Sequence, residues 1–175
     1  MVDELTVIAS SYHRNGYSFP VDAMSPEQAL AYRRQFEAAE REYKDKDPDF
    51  DALVFGHANM VMPFIDEITR LPTVLDPVRA ILGPDVMVWG ANLFIKEARS
   101  NGYVSWHQDL TYWDLDDVNE VTAWVALSPA TVQSGCMRYV PGTHTQEIAV
   151  HRDTFAENNQ LSRGQELVVD VNEAE

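Results

Sequence analysis

Hydrophobic and polar positions in the first part of the chain alternate with the period of a helix. Apolar or aromatic residues follow each other three or four positions apart, which predicts an amphipathic helix with one buried face; they are Tyr32, Phe36, Ala39 and Tyr43. The segment Ser25-Pro26-Glu27-Gln28 predicts where this helix starts, because serine caps a helix, proline suits the first helical position and glutamine completes a capping box. Pro48 in the charged stretch KDKDPDFD blocks continuation of the helix.

Two further helices are predicted before residue 85. One spans Pro63 to Arg70. The other begins at a cap at Asp76, continues through Pro77 and ends at Gly83-Pro84, a typical stop signal. Residues 1 to 84 are therefore predicted to form a helical part.

From Asp85 onward the pattern changes to that of β-strands. Five short segments rich in β-branched and aromatic residues are separated by glycine, proline and asparagine turns; they are DVMVWGANLFIK, GYVSWHQD, VTAWVALS, CMRYVPG and QELVVDV. This pattern predicts an α+β, mainly β fold, an antiparallel sandwich or barrel with the N-terminal helices packed outside. We predict a single domain over residues 1–175, with the sheet part over residues 85–175.

The number of strands leaves two interpretations open. A closed jelly roll needs about eight strands, whereas this chain offers five and then the acidic segment VNEAE. One interpretation is a small sheet sealed by the helices. The other, which we favour, is that the chain ends inside its domain, and an exposed sheet edge would then allow self-association.

Charge and cysteine content narrow the class of partner. Thirteen basic and 28 acidic residues give a formal net charge of −15, which repels phosphate backbones and anionic lipid surfaces. Nucleic acid and membrane are therefore not expected as partners, whereas a small-molecule substrate is compatible with this charge. The single cysteine, Cys136, excludes an internal disulfide and a cysteine-rich metal site. With no secretory signal pattern at the N-terminus and no long apolar run, we expect a cytoplasmic protein.

The short stretch SWHQDLTYW contains a candidate metal-binding pair, His107 and Asp109. In an extended segment, residues two apart point to the same face and lie about 6.6 Å apart along the backbone. An imidazole and a carboxylate are two of the three ligands in the 2-His-1-carboxylate arrangement of non-haem Fe(II) oxygenases. A simple hydrogen-bonded pair is the alternative explanation for a histidine so close to an aspartate.

The context of this pair is more specific. WHQDLTYW, followed by TAWVALSPATVQSGCMRYVPGTH, resembles the phytanoyl-CoA dioxygenase family of Fe(II)- and 2-oxoglutarate-dependent oxygenases. GYSFPVDAMSPEQA, LFIKEARSNGYVSWH and LSRGQELVVDVNEAE resemble other parts of that family, so the resemblance covers nearly the whole chain. It implies a double-stranded β-helix (a jelly roll of the cupin-like type), with Fe(II) as the metal and 2-oxoglutarate and O₂ as co-substrates.

The resemblance also implies roles for individual residues. His107 and Asp109 would be iron ligands, and Trp124 would lie against 2-oxoglutarate. Asn92 matches a position that contacts this co-substrate, although a solvent-facing polar residue is an equally good account of it. Lys96 shares a strand face with Asn92 and would favour an anion, unless it is an ordinary solvated lysine.

Two aromatic residues that follow the metal pair, Tyr112 and Trp113, are predicted to line the substrate mouth, with core packing as the alternative. In the family, the distal histidine and the arginine that pairs with 2-oxoglutarate follow the point where this sequence ends, so we expect the third ligand to be absent from this chain. His144 follows a turn and is expected to have a packing or hydrogen-bonding role, and His151 is expected to be a surface residue.

The retained Asp109 implies hydroxylation, because halogenating relatives carry a small residue there. The predicted activity is hydroxylation of an aliphatic C–H in a small organic substrate, with oxidative decarboxylation of 2-oxoglutarate to succinate. Two alternatives stay open. One is a non-catalytic fragment or pseudoenzyme that acts as a binding module. The other is a cupin-like metalloprotein of different activity that recruits His144 as its third ligand.

Overall fold

The computed structural model describes residues 3–113 and 115–171. Its N-terminal part is helical, and the helices α1 to α6 span Glu4–Asn15, Pro26–Tyr43, Phe50–Gly56, Ala58–Val61, Pro63–Arg70 and Pro72–Leu82. After them come a single helical turn, α7, at Leu110–Trp113 and a 3₁₀ turn at Thr143–Thr145. Two short strands complete the described elements, β1 at His151–Arg152 and β2 at Glu166–Leu167.

Helix α2 confirms the capping-box prediction. The Ser25 hydroxyl accepts a hydrogen bond from the Gln28 backbone N–H at 3.2 Å, and the Gln28 side chain accepts one from the Ser25 N–H at 3.0 Å. The helix buries Tyr32 and Phe36 and ends at Tyr43, before Pro48. Two of the donors that every helix start leaves without an intrahelical partner are thereby satisfied by the sequence itself.

The predicted helix from Pro63 to Arg70 is confirmed as α5, but the predicted start of the next helix is wrong. Helix α6 begins at Pro72 and carries Pro77 inside it. Pro72 occupies the first position, where the missing N–H costs nothing. Asp76 therefore lies within the helix and does not cap it. The predicted stop is confirmed at Gly83, which has a φ of 99°.

The core lies among helices α2 to α5. Its buried residues are Tyr32, Phe36, Phe50, Val54, Ala58, Met62, Phe64, Ile65 and Ile68. Alternate residues of two segments that were predicted as strands pack against this core, namely Ala91, Leu93 and Ile95 from one and Val125 and Leu127 from the other. The first of these segments is also tied to the helices by two backbone hydrogen bonds, from Ala58 N–H to Ala91 O at 3.1 Å and from Leu93 N–H to Val54 O at 3.2 Å.

Regular strand pairing within the described residues is confined to β1 and β2. They are antiparallel, with His151 opposite Leu167 and Arg152 opposite Glu166. Strand β2 falls within the predicted strand QELVVDV, and the segment GYVSWHQD contributes one isolated parallel bridge, between Tyr103 and Asn159. The other predicted strands form no ladder in this part of the chain, so the jelly roll and self-association through its edge stay predictions. No helix among residues 3–113 and 115–171 is both long and apolar enough to span a membrane.

Candidate metal centre

The two predicted ligands lie directly against each other. His107 Nε2 is 3.0 Å from Asp109 Oδ1. The chain turns at Asp109 and enters α7 at Leu110, whereas the sequence had suggested an extended segment throughout. The two side chains nevertheless stay on the same side of the chain and meet, as the spacing of two residues had suggested.

The hydrogen bonds of His107 define which ring nitrogen carries a proton. Nδ1 lies 2.8 Å from the backbone oxygen of Ser105. A carbonyl oxygen only accepts, so Nδ1 carries the proton and donates it. Nε2 therefore faces a carboxylate oxygen with its lone pair, and two acceptors at 3.0 Å repel each other unless a proton or a cation lies at Nε2.

In the metal-free protein a proton takes that place, and the pKa values of the pair reflect it. Burial lowers the pKa of His107, but the hydrogen bonds to Asp109 and Ser105 and the charge of Asp109 outweigh this effect and raise it. The hydrogen bond from His107 holds the pKa of Asp109 below its usual range, against the opposing effect of burial. Thr122 adds to this by donating its hydroxyl to Asp109 Oδ2 at 3.3 Å.

The pair also has the geometry that a divalent cation requires. Two ligands bound in cis positions of an octahedron, each about 2.1 Å from the ion, lie about 3.0 Å apart. The bond from His107 Nδ1–H to a backbone carbonyl is the usual way in which a protein orients a metal-bound imidazole. His107 and Asp109 therefore fit such an ion. Among the residues that the structure describes, no three His, Cys, Asp or Glu side chains converge on one point.

The predicted co-substrate residues have exposed side chains. Asn92 and Lys96 are exposed, and their neighbours Leu93 and Ile95 pack on the core. The Lys96 ammonium donates a hydrogen bond of 2.5 Å to the backbone oxygen of Gly135, so it holds the 131–135 loop. Trp124 is 45% exposed and lies two positions from Thr122, the residue that contacts Asp109.

The two residues predicted at the substrate mouth belong to α7. Trp113 is half-buried at the end of this turn, and the side chain of Tyr112 lies outside the described part of the structure. His144 is directed elsewhere. Its Nε2 donates to the backbone oxygen of His13 at 3.2 Å, so that nitrogen presents a proton there rather than a lone pair. The predicted hydrogen-bonding role of His144 agrees with this contact.

Sequence reasoning missed a group of residues around Asp109. Burial, followed by the charge of Asp109, raises the pKa of Glu120, and one oxygen of this carboxylate is buried with no hydrogen-bond partner in the described structure. Tyr12 from α1 donates its hydroxyl to the Glu120 backbone oxygen at 3.4 Å. Burial and then Asp109 raise the pKa of Tyr139, whose ring stacks on Tyr17 at 5.2 Å. These contacts join residues far apart in sequence, so local patterns carry no signal for them.

Next to His107, the Arg138 guanidinium lies 5.6 Å from the centre of the Trp106 ring, a cation–π distance. Arg138 belongs to the motif GCMRYVPGTH and Trp106 to SWHQD. The two motifs that are most distinctive in the sequence therefore meet beside the candidate ligands.

A family model and several known proteins match this sequence. The family model for phytanoyl-CoA dioxygenase (PhyH) matches residues 12–173. Phytanoyl-CoA dioxygenase domain-containing protein 1 of Mus musculus is 33% identical over 97 residues, which are 54% of this chain and 33% of that protein. Ectoine dioxygenase of Bordetella parapertussis is 24% identical over 157 residues, 82% of this chain and 51% of the enzyme.

A third relative is the probable alpha-ketoglutarate-dependent hypophosphite dioxygenase of Stutzerimonas stutzeri, 26% identical over 89 residues, 51% of this chain and 31% of that protein. The chain thus spans about a third to a half of the length of these relatives. No solved structure matches it significantly. The family match covers both motifs that meet at the metal pair and confirms the resemblance, and the chain belongs to the phytanoyl-CoA dioxygenase (PhyH) family.

Proposed function

We propose that this protein is an Fe(II)- and 2-oxoglutarate-dependent dioxygenase that hydroxylates an aliphatic C–H of a small organic substrate. The observation that carries the proposal is the 3.0 Å pairing of His107 Nε2 with Asp109 Oδ1 inside a chain of this family. Two relatives support the reaction class, because their names describe an ectoine dioxygenase and a probable alpha-ketoglutarate-dependent dioxygenase.

The residues of the pair have distinct tasks in this proposal. Ser105 O holds the Nδ1 proton of His107, which leaves the Nε2 lone pair for the metal. Thr122 occupies Oδ2 of Asp109 and leaves Oδ1 for the same ion. Metal binding must displace the proton that His107 holds in the metal-free protein, so one proton is released on binding. When bound, Fe(II) with 2-oxoglutarate and O₂ supplies the oxidising chemistry that hydroxylates the substrate and yields succinate and CO₂.

The remaining predicted residues enter the proposal around this pair. Trp124 and Asn92, whose side chains are both exposed, would contact 2-oxoglutarate. Lys96 would have to exchange its bond with Gly135 O for the co-substrate carboxylate. Tyr112 and Trp113 would border the substrate from the turn that follows Asp109.

Release of succinate from 2-oxoglutarate tests the proposal directly. The protein with Fe(II) and 2-oxoglutarate is expected to form succinate, and Asp109→Ala is expected to abolish it because the carboxylate that meets His107 is lost. Asp76→Ala is the matched control, since Asp76 is an exposed aspartate of α6 whose contact is an ion pair with Arg79 at 3.9 Å. Equal succinate formation by Asp109→Ala and the wild type would refute the assignment.

A binding module without catalysis is the second candidate. It is favoured by the finding that no three potential ligands converge on one point in residues 3–113 and 115–171. Such a protein would form no succinate and would take up no Mn(II), a redox-silent probe for the metal site, in calorimetry. Heat of Mn(II) binding that disappears in Asp109→Ala would exclude this candidate.

A further inference from the structure

The chain segment that carries the metal pair is backed by a later segment, residues 149–167, which we call the backing segment. Two backbone hydrogen bonds join Tyr103 to it, and Leu167 N–H donates to Trp106 O at 3.3 Å. Asn159 donates its side-chain amide to the Ser105 hydroxyl at 2.9 Å, and this hydroxyl in turn donates to the backbone oxygen of Gln165. Hydrogen bonds therefore connect the segment that carries the metal pair to residues about fifty positions later in the sequence.

Within the backing segment, His151 contacts the residue that lies between the two ligands. Its Nε2 lies 3.0 Å from the backbone N–H of Gln108, the residue between His107 and Asp109. Its Nδ1 lies 2.8 Å from the backbone oxygen of Ala149. Because that oxygen can only accept, Nδ1 carries the proton, and Nε2 is left with a lone pair that accepts the Gln108 N–H. The expectation that His151 is a surface residue is therefore wrong, since its ring is half-buried and both nitrogens are engaged.

Gln108 is held a second time through its side chain. Gln108 Oε1 accepts a hydrogen bond from Ala149 N–H at 2.7 Å. One residue thus has both its backbone N–H and its side-chain oxygen bound to the backing segment. Fixing the N–H fixes the peptide plane that links His107 to Gln108, and fixing the side chain directs the next residue, Asp109.

Strand pairing makes the support of His151 rigid. His151 lies opposite Leu167 in the β1–β2 ladder, and Leu167 N–H bonds to Trp106 O. The backbone hydrogen bond from Leu167 to Trp106 and the hydrogen bond from Gln108 to His151 therefore attach the chain on both sides of His107, to two residues that lie opposite each other in the β1–β2 pair. Attachment on both sides limits how far the imidazole can move away from Asp109.

We propose that His151 is a positioning residue for the metal pair, which acts by accepting the Gln108 N–H and thereby aiming His107 and Asp109 at one divalent cation. The inference rests on the proposed function, since it assumes that the pair binds a metal. Groups that orient metal ligands from behind typically change metal affinity or activity by about 10- to 100-fold when they are removed. A histidine that only filled space would be replaced by an apolar residue without such a loss.

Mn(II) affinity of the full 175-residue chain, measured by electron paramagnetic resonance, is the main test. His151→Leu keeps a similar volume but leaves the Gln108 N–H without its acceptor, and it is expected to weaken Mn(II) binding by about 10- to 100-fold. His151→Gln places an amide oxygen where Nε2 stood and is expected to restore most of the affinity. His144→Leu is the matched control, because His144 bonds to His13 O and contacts neither ligand, and it is expected to leave the affinity unchanged.

A measurement without metal separates this inference from the proposed function. Ring ¹⁵N shifts are expected to show His151 protonated at Nδ1 and not at Nε2, and His151→Leu is expected to shift the amide resonances of residues 107–109. If the wild type binds no Mn(II), the proposed function fails. The amide shifts alone then show whether His151 positions residues 107–109. Unchanged amide shifts of residues 107–109, or wild-type Mn(II) affinity in His151→Leu, would overturn the inference.

One further variant covers the case in which His151→Leu does not fold. His151→Asn keeps a polar side chain, but its shorter side chain places the amide oxygen farther from the Gln108 N–H than His151 Nε2 is. It is therefore expected to behave like His151→Leu and not like His151→Gln. Rescue by asparagine equal to that by glutamine would show that the acceptor position is irrelevant, which contradicts the inference.

Discussion

Two glycines with nearly the same backbone offer a test of what Lys96 does. Gly135 has a φ of +75° and Gly142 a φ of +78°, so alanine at either position meets the same left-handed strain. Their surroundings differ. A Cβ at Gly135 would lie 3.0 Å from Lys96 Nζ, whereas a Cβ at Gly142 would meet no described atom within 4 Å. The difference between Gly135→Ala and Gly142→Ala therefore isolates the Lys96 contact.

The magnitude follows from these two contributions. Left-handed strain costs each variant about 1–2 kcal/mol. In Gly135→Ala, Lys96 must also retreat by a few tenths of an ångström, which weakens its 2.5 Å bond to Gly135 O. Because Lys96 is exposed and screened by solvent, we expect this to add only about 0.5–1 kcal/mol. In a Lys96→Ala background both the bond and the steric contact are gone, and the two alanine variants are expected to be equally stable.

Urea unfolding followed by circular dichroism measures all these free energies in one double-mutant cycle. Equal destabilisation by the two alanines in the wild-type background, or a difference that survives Lys96→Ala, would refute the view that Lys96 holds this loop. Lys96→Ala also tests the proposed co-substrate contact, and we expect it to weaken 2-oxoglutarate binding in calorimetry. Unchanged 2-oxoglutarate affinity would leave Lys96 with the loop contact alone.

Two more predictions concern the stability of the metal-free protein. The raised pKa of His107 and the lowered pKa of Asp109 mean that their pairing stabilises the fold fully between the ordinary pKa of an aspartate and that of a histidine. This stabilisation is lost as the pH rises through the raised pKa of His107 or falls through the lowered pKa of Asp109. The difference in unfolding free energy between the wild type and His107→Gln is therefore expected to vary with pH. A difference that stays constant across this range would contradict the prediction. Phe36→Ala is expected to cost about 3–5 kcal/mol because it empties a core position of α2 that is 7% exposed. Leu30→Ala, on the same helix but 45% exposed, is expected to cost less than about 1 kcal/mol in the same urea assay, and similar losses in both would contradict this placement of the core.

The helices show which local signals suffice. Ser25 and Gln28 satisfy each other's backbone donors without help from the rest of the chain, and the start of α2 was predictable for that reason. The start of α6 was not, because Pro72 and Pro77 are both acceptable near a helix start and nothing local chooses between them. Helix α1 was not among the predicted helices, and its buried residue is Ile8. It packs against α6, and such a distant partner is invisible in the sequence.

The metal pair shows the same division between residue type and geometry. The types and spacing of His107 and Asp109 were visible in SWHQD, and the family resemblance explained them. Their 3.0 Å contact is accompanied by hydrogen bonds between Gln108 and the backing segment, which lies more than forty residues away. His151 was misjudged because its neighbours Arg152 and Asp153 are charged and exposed. A charged neighbourhood does not reveal that one ring is turned inward to accept a backbone N–H.

An alternating pattern is often assumed to indicate both which face of a segment is buried and that the segment pairs with a neighbouring strand. In the β-type segments of this chain these two properties are separate. Residues 91, 93 and 95 pack on the helical core and residues 92, 94 and 96 are exposed, so the pattern correctly indicates which face is buried. Burial depends on each side chain's own preference for an apolar contact, and helices α3 and α4 provide that contact here. A sheet requires in addition a partner strand whose hydrogen bonds are nonlocal and whose register no single segment encodes. The face that carries Asn92 and Lys96 could therefore be predicted from this segment alone, whereas the strand beside it could not.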